Sequence, residues 1–132
     1  MSQENVNIVK RGYEASNQTG KLSREVLAPD FVLDLTESAP DFGIVRGIEA
    51  SEQALRGYMK TFDEFRVEIE EVIHADEGQV VTAVSNTGRL RESDSTVTSH
   101  FFHVFTLEDG KVVRWSVHVD RDHALEAAGL SE

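Results

Sequence analysis

Apolar side chains recur along this chain at two different periods, and the change of period separates a helical first half from a strand-rich second half. Between residues 5 and 17, Val6, Val9 and Tyr13, with Ile8 beside them, fall at helical spacing. Asn17-Gln18-Thr19-Gly20 ends that helix with turn chemistry. A short second helix is expected from Ser23, a suitable N-cap, to Leu27, stopping before Pro29. Phe31 to Leu35 reads as a strand, followed by a loop from Thr36 to Phe42 that contains Pro40. Ile44-Val45-Arg46-Gly47 then leads into a helix from about Glu49 to Phe62. Its Ala54, Leu55, Tyr58, Met59 and Phe62 form the stripe of a helix lying on a core.

From Phe65 the period becomes two. Phe65, Val67 and Ile69 alternate with Arg66, Glu68 and Glu70, the pattern of a half-buried strand. Asp76-Glu77-Gly78 turns the chain into a strand from Val80 to Leu90, and a polar loop, Arg91 to Ser95, precedes another from Thr96 to Leu107. Asp109-Gly110 is the strongest hairpin signal present and leads into Lys111 to Val119. Asp122 to Ala128 reads as a terminal helix closed by Gly129. Helices first and a meander of strands afterwards predict an α+β fold with an antiparallel sheet, as one domain over residues 1–132.

The last hairpin predicts which side chains share a face. With Asp109-Gly110 in the turn, Glu108 opposes Lys111, and opposed residues of an antiparallel ladder share a side. One face then carries His100, Phe102, Val104 and Thr106 with Val113, Trp115, Val117 and Val119, and is expected to meet the helices. The other carries Phe101, His103, Phe105 and Leu107 with Val112, Arg114, Ser116, His118 and Asp120. That second face is too apolar for water, so a second copy of the chain is its expected cover.

Composition narrows the chemistry. The formal net charge of −11 disfavours nucleic acid and anionic lipid as partners. No apolar run is long enough for a membrane span, and the first residues lack the pattern of a signal segment, so a cytoplasmic protein is expected. The absence of cysteine excludes disulfides, thiolate metal sites and cysteine nucleophiles. The chain also lacks a phosphate-cradling glycine loop, a nucleophile elbow and a dinucleotide fingerprint.

On the predicted apolar face, His100 is the only residue that titrates readily near neutrality. It stands either as a general acid or base or as a structural histidine bonded to Thr96 or Thr98. His103, His118 and Asp120 share the opposite face, where an interfacial hydrogen-bond cluster is the simpler reading than a metal site. Asp120 stands where a strand ends and a helix begins, the position of a helix cap. Tyr13, Tyr58 and Trp115 combine bulk with a polar handle and suit either core packing or the wall of a pocket for a small, partly apolar ligand.

Several strings, in order, resemble one superfamily: Ile8-Val-Lys-Arg-Gly-Tyr-Glu-Ala-Ser-Asn17, Leu27-Ala-Pro-Asp30, Arg46-Gly47 before a helix, Asp109-Gly-Lys-Val-Val-Arg-Trp115, and Asp120-Arg-Asp-His-Ala-Leu-Glu-Ala-Ala-Gly-Leu130. The chain resembles nuclear-transport-factor-2-like domains, in the SnoaL-like or ketosteroid-isomerase-like branch of small bacterial proteins. The resemblance implies a cone-shaped curved sheet wrapped around the helices, a pocket at its open end, and a homodimer through the outer sheet face. That face is expected to include Phe101, His103, Phe105, Arg114 and His118. The branch contains isomerases, polyketide cyclases, dehydratases and epoxide hydrolases, so fold alone does not name the reaction.

Matched string by string, the ketosteroid-isomerase acid set falls on Gly12, Phe102 and Leu35, with Tyr13 and Asp34 each one residue away, so that mechanism is not expected. His100 and Asp120 resemble in kind the histidine and aspartate of SnoaL-type cyclases. Arg114 and Asp120 would face outward, away from an epoxide-hydrolase site. Two readings stay open. One is a cofactor-free isomerase, cyclase or dehydratase acting through His100 and Asp120 on a cyclic or aromatic molecule. The other is a catalytically silent ligand-binding or accessory homodimer. In both, Tyr13, Leu33, Leu35, Tyr58, Phe102, Val104, Trp115 and Val117 are the expected pocket residues, and no metal or cofactor is expected.

Overall fold

The first helix, α1 (Gln3–Thr19), opens with the Ser2 side chain accepting from the Asn5 backbone N–H and closes on Gly20, whose φ is 72°. A computed structural model describes residues 2–130. One face of α1 is buried through Val6, Ile8, Val9 and Tyr13. Polar side chains tie down both ends. Asn5 donates to the carbonyls of Asp76 and Glu77 at 2.9 and 3.1 Å, and Asn17 exchanges two bonds with the backbone of Val67 at 2.8 and 2.9 Å. Tyr13 is therefore held at a fixed depth over the sheet.

The expected helix from Ser23 to Leu27 is a turn. The Val26 N–H donates to the Ser23 hydroxyl and the Leu27 N–H to the Ser23 carbonyl, and the first strand, β1 (Leu27–Asp34), begins there. Tertiary pairing overrides local helical chemistry, because the Val26 carbonyl accepts from Val112 and Leu27 pairs with Val112. Pro29, which has no N–H, falls where the β1 register shifts, between Leu27 and Val32. A three-residue strand, β2 (Ile44–Arg46), pairs with β1, and α2 (Ile48–Met59) follows. Phe62, expected to end that helix, instead begins β3 (Phe62–Ala75). Three long strands complete the sheet: β4 (Gln79–Leu90), β5 (Thr96–Glu108) and β6 (Lys111–His118). The last helix, α3 (Arg121–Ala127), is capped by Asp120.

The six strands lie in the order β2-β1-β6-β5-β4-β3, in a curved sheet that does not close on itself. The sheet, expected to be antiparallel, is mixed, because β1 runs parallel to β6. A parallel neighbour needs a long connection, and α2 with the β3–β5 meander supplies one. Helices α1 and α2 pack on one face of the sheet, here called inner, where Phe31, Leu33, Val80 and Val84 are fully buried. On the other face, α3 sets Ala124 against Val81 and Val104.

Candidate functional site

One inserted residue decides which side chains look inward. Asp109 and Gly110 both have positive φ, 52° and 77°, as a two-residue hairpin turn requires. Glu108 pairs with Lys111 and Leu107 with Val112, as expected, but the register then shifts, and Thr106 opposes Arg114. Val113 is the extra residue. A bulge of this kind reverses the facing of everything beyond it relative to the partner strand. Phe105 therefore opposes Trp115, and His103 opposes Val117.

On β4, Val80, Thr82 and Val84 oppose Phe105, His103 and Phe101 on the same inner side. The predicted faces of β5 are thus exchanged. Phe101, His103 and Phe105, expected at a subunit contact, look inward. His100, Phe102 and Val104, expected inside, look outward. Alternation alone could not choose between them, since both phases of β5 are rich in apolar residues. Of the outward apolar residues, Val104 and Phe102 meet α3. Val104 packs with Ala124, and the Arg121 guanidinium lies 5.9 Å from the centre of the Phe102 ring.

At the middle of the inner face, Tyr13 Oη lies 2.7 Å from His103 Nδ1 and 2.9 Å from Thr82 Oγ1. The two rings stack with centroids 5.8 Å apart, and Trp115 meets His103 edge to face at 5.3 Å while stacking on Phe105. Burial penalises the imidazolium, with a lesser push from His118, and lowers the His103 pKa to about 3. Burial likewise raises the Tyr13 phenol well above its ordinary range, against the bond from Thr82. Both groups are neutral at physiological pH and act as hydrogen-bonding groups rather than as charges.

Among the described residues, three buried polar atoms have no hydrogen-bond partner: Ser51 Oγ, Asn86 Oδ1 and Trp115 Nε1. Ser51 is fully buried on the α2 stripe that includes Ile48. Asn86 continues the inward row of Thr82 and Val84, and Trp115 shares its side of β6 with Val117. Each thus belongs to the inner face of the sheet or to the helix packed on it.

The other expected residues are distributed as follows. Leu33 and Leu35 are buried in the inner core, with Leu33 beside Trp115 in the sheet, and Val117 is buried there as well. Tyr58 is 39% exposed and packs at the rim against Phe62 and Phe65. His100 is exposed on the outer side, with Nδ1 3.0 Å from Glu70. Asp120 accepts from the Asp122 and His123 N–H groups, the work of a helix cap.

Arg114 and His118 do look outward. Arg114 pairs with Asp34, and His118 joins Ser116 at 2.8 Å to Glu37 at 2.9 Å. Because His103 looks inward and His118 outward, the expected sharing of one face by those histidines does not occur, and no cluster of three potential metal ligands forms among the described residues. Two surface grooves, of about 750 and 270 Å³, lie along α2 and are lined by other residues, Arg24, Arg46 and Gln53 in one and Lys21, Glu52 and Met59 in the other.

Thr82, Ser51 and Asn86 were not singled out from sequence, and His103 was singled out only for a subunit contact or a metal site on the opposite face. The signal for Thr82 and Asn86 was present, as two polar residues in phase with inward Val80 and Val84, but it needed the strand's facing to be known.

Residues 9–115 match the sequence profile of the SnoaL-like domain. No curated protein matches the chain. Among solved structures, a putative SnoaL-like polyketide cyclase from Jannaschia sp. CCS1 is 23% identical, with 99% of this chain and 94% of that one covered and a TM-score of 0.73. An NTF2-like protein of unknown function from Burkholderia pseudomallei K96243 is also 23% identical, covering 98% of both chains with a TM-score of 0.69. SalBIII, described as an epoxide hydrolase/cyclase-like enzyme with a role in pyran ring formation in the polyether salinomycin, is 18% identical, covering 90% of this chain and 92% of that one with a TM-score of 0.71. At these identities the likeness establishes the fold.

Proposed function

Since the chain belongs to the SnoaL-like domain family, whose members generally bind small molecules, we propose that it binds a small, largely apolar ring compound between α1, α2 and the inner face of the sheet. The observation that carries this reading is the set of partnerless buried atoms on Ser51, Asn86 and Trp115. A buried donor or acceptor left unpaired costs about 1–3 kcal/mol. Three of them on surfaces turned to one interior are what a binding site presents before its ligand arrives.

Binding is better supported than proton transfer. A histidine held near pKa 3 is a poor base at neutral pH, and a buried phenol with a raised pKa is a poor acid. The enzymatic alternative draws on the cyclase and hydrolase/cyclase descriptions of the structural neighbours, and would act through hydrogen bonds from these neutral groups. The homodimer implied by the family resemblance is a separate expectation, to be checked by sedimentation equilibrium. Its interface would fall on outward residues beyond α3, such as Thr87, Thr98 and His100.

Native mass spectrometry with a panel of cyclic ketones, phenols and saturated hydrocarbons tests the reading. A one-to-one adduct is expected for the wild type and not for a folded Val117→Trp variant, whose indole would fill the interior. Absence of any adduct, or an adduct indifferent to Val117→Trp, overturns it.

A further inference from the structure

The proton inventory of the interior determines what it offers a ligand. Thr82 Oγ1, Tyr13 Oη and His103 Nδ1 form one chain, with separations of 2.9 and 2.7 Å. Such a chain can be polarised in two directions. In one, Thr82 donates to Tyr13 and Tyr13 donates to Nδ1, so the imidazole carries its proton on Nε2. In the other, Nδ1–H donates to Tyr13 and Tyr13 donates to Thr82, leaving Nε2 as a bare lone pair.

The two directions differ in what they strand. Thr82 is fully buried, and its hydroxyl has no hydrogen-bond partner besides Tyr13 among the described residues. The second direction therefore leaves the Thr82 proton without an acceptor and the Nε2 lone pair without a donor. The first uses both hydroxyl protons and leaves one group free, the Nε2–H. A stranded buried donor is expensive, and the first direction strands fewer groups. Beside this ring, with centroids 5.3 Å apart, stands Trp115, whose Nε1–H is itself without a partner.

We infer that Thr82 and Tyr13 lock His103 in the Nε2–H tautomer, so that His103 and Trp115 both face a ligand as hydrogen-bond donors and select it through an acceptor atom, a carbonyl or phenolate oxygen. Thr82 and Tyr13 are positioning residues, acting through the imidazole. The ligand half of this inference rests on the binding reading above, whereas the tautomer is a property of the protein alone.

Long-range ¹H–¹⁵N correlation spectra of uniformly ¹⁵N-labelled protein test the tautomer directly. A pyrrole-like Nε2 and a pyridine-like Nδ1 are expected for His103, unchanged across neutral pH, with the distinction averaged in Tyr13→Phe. A pyridine-like Nε2 in the wild type overturns the inference.

The selection is tested by comparing 1-tetralone with tetralin, which has the same ring frame and no acceptor. The ketone is expected to bind at least tenfold more tightly, and equal affinity contradicts donor selection. If neither compound binds, together with the rest of the ligand panel, the binding reading falls, and the nitrogen shifts still decide the tautomer.

Discussion

The hydroxyl of Tyr13 stands 2.7 Å from Nδ1 of His103, joining the first helix to the middle of β5 across a sequence separation of 90 residues. Both side chains are buried, so removing the hydroxyl leaves Nδ1 and the Thr82 hydroxyl without a partner. Tyr13→Phe is expected to lower stability by about 1–3 kcal/mol, read from urea unfolding. A loss below about 0.5 kcal/mol, the range of ordinary surface changes, would show that the network is not closed as described.

His103 also predicts an acid dependence. Burial lowers its folded-state pKa to about 3 from the ordinary 6.5, so between those values the unfolded chain binds a proton that the folded chain refuses. The stabilisation is complete above pH 6.5 and is lost as pH falls toward 3. Urea stability measured from pH 6 to 4.5 should fall more steeply for the wild type than for His103→Asn. The difference in slope should approach one proton, roughly 1.4 kcal/mol per pH unit. Identical slopes would place His103 in contact with water.

Glu37 fastens the loop after β1 to the far end of the chain. Its carboxylate accepts from the Val119 N–H at 2.7 Å and from His118 Nδ1 at 2.9 Å, and lies 3.2 Å from His123 Nδ1. Burial opposes its ionisation, but these bonds outweigh that and hold the carboxyl below its usual range. Glu37→Ala should speed amide exchange in residues 36–43 and 119–123 together and cost about 1–2 kcal/mol, a charged hydrogen-bond cluster discounted for partial exposure. Faster exchange in only one of the two segments would mean that Glu37 does not join them.

Gly88 leaves no room for a side chain. A Cβ there would stand 2.7–2.9 Å from the Cδ1, Cγ and Cβ atoms of Phe62, and Phe62 packs against Tyr58 and Phe65. The near end of the Phe62 side chain cannot swing away without moving the start of β3. Gly88→Ala is expected to cost about 1–3 kcal/mol through overpacking, measured as a lowered midpoint of thermal or urea unfolding. A neutral substitution would mean that Phe62 is free to move.

Much of the fold was legible because local chemistry and tertiary packing agree. The α1 stripe, the Asp109-Gly110 turn, the Asp120 cap and Gly129 after α3 each sit where their residue types require. The site was less legible because one residue, Val113, decides it. The phase of β6 is marked beyond the bulge, where Trp115 and Val117 alternate with Arg114, Ser116 and His118, but Val112 and Val113 are adjacent and both apolar, so the bulge between them leaves no trace in the alternation. Trp115 and Val117 nevertheless belong to the inner face, whereas His100, Phe102 and Val104 do not, since β5 is apolar in both phases. Tyr13 lies one residue from the position that string matching assigns to the interior, yet it is the α1 side chain that reaches β5. Ser23 to Leu27 carries helical chemistry that pairing with β6 overrides.

Trp115 is the only tryptophan in the chain, so its indole gives a single cross-peak in a ¹H–¹⁵N correlation spectrum, from an N–H that has no partner among the described residues. Titration with a bound ring ketone while following that peak is the most direct test of an interior site. A saturable downfield shift of the indole proton is expected, together with shifts at Thr82 and His103. A stationary indole peak, with shifts confined to the groove residues along α2 such as Arg46 and Gln53, would contradict it.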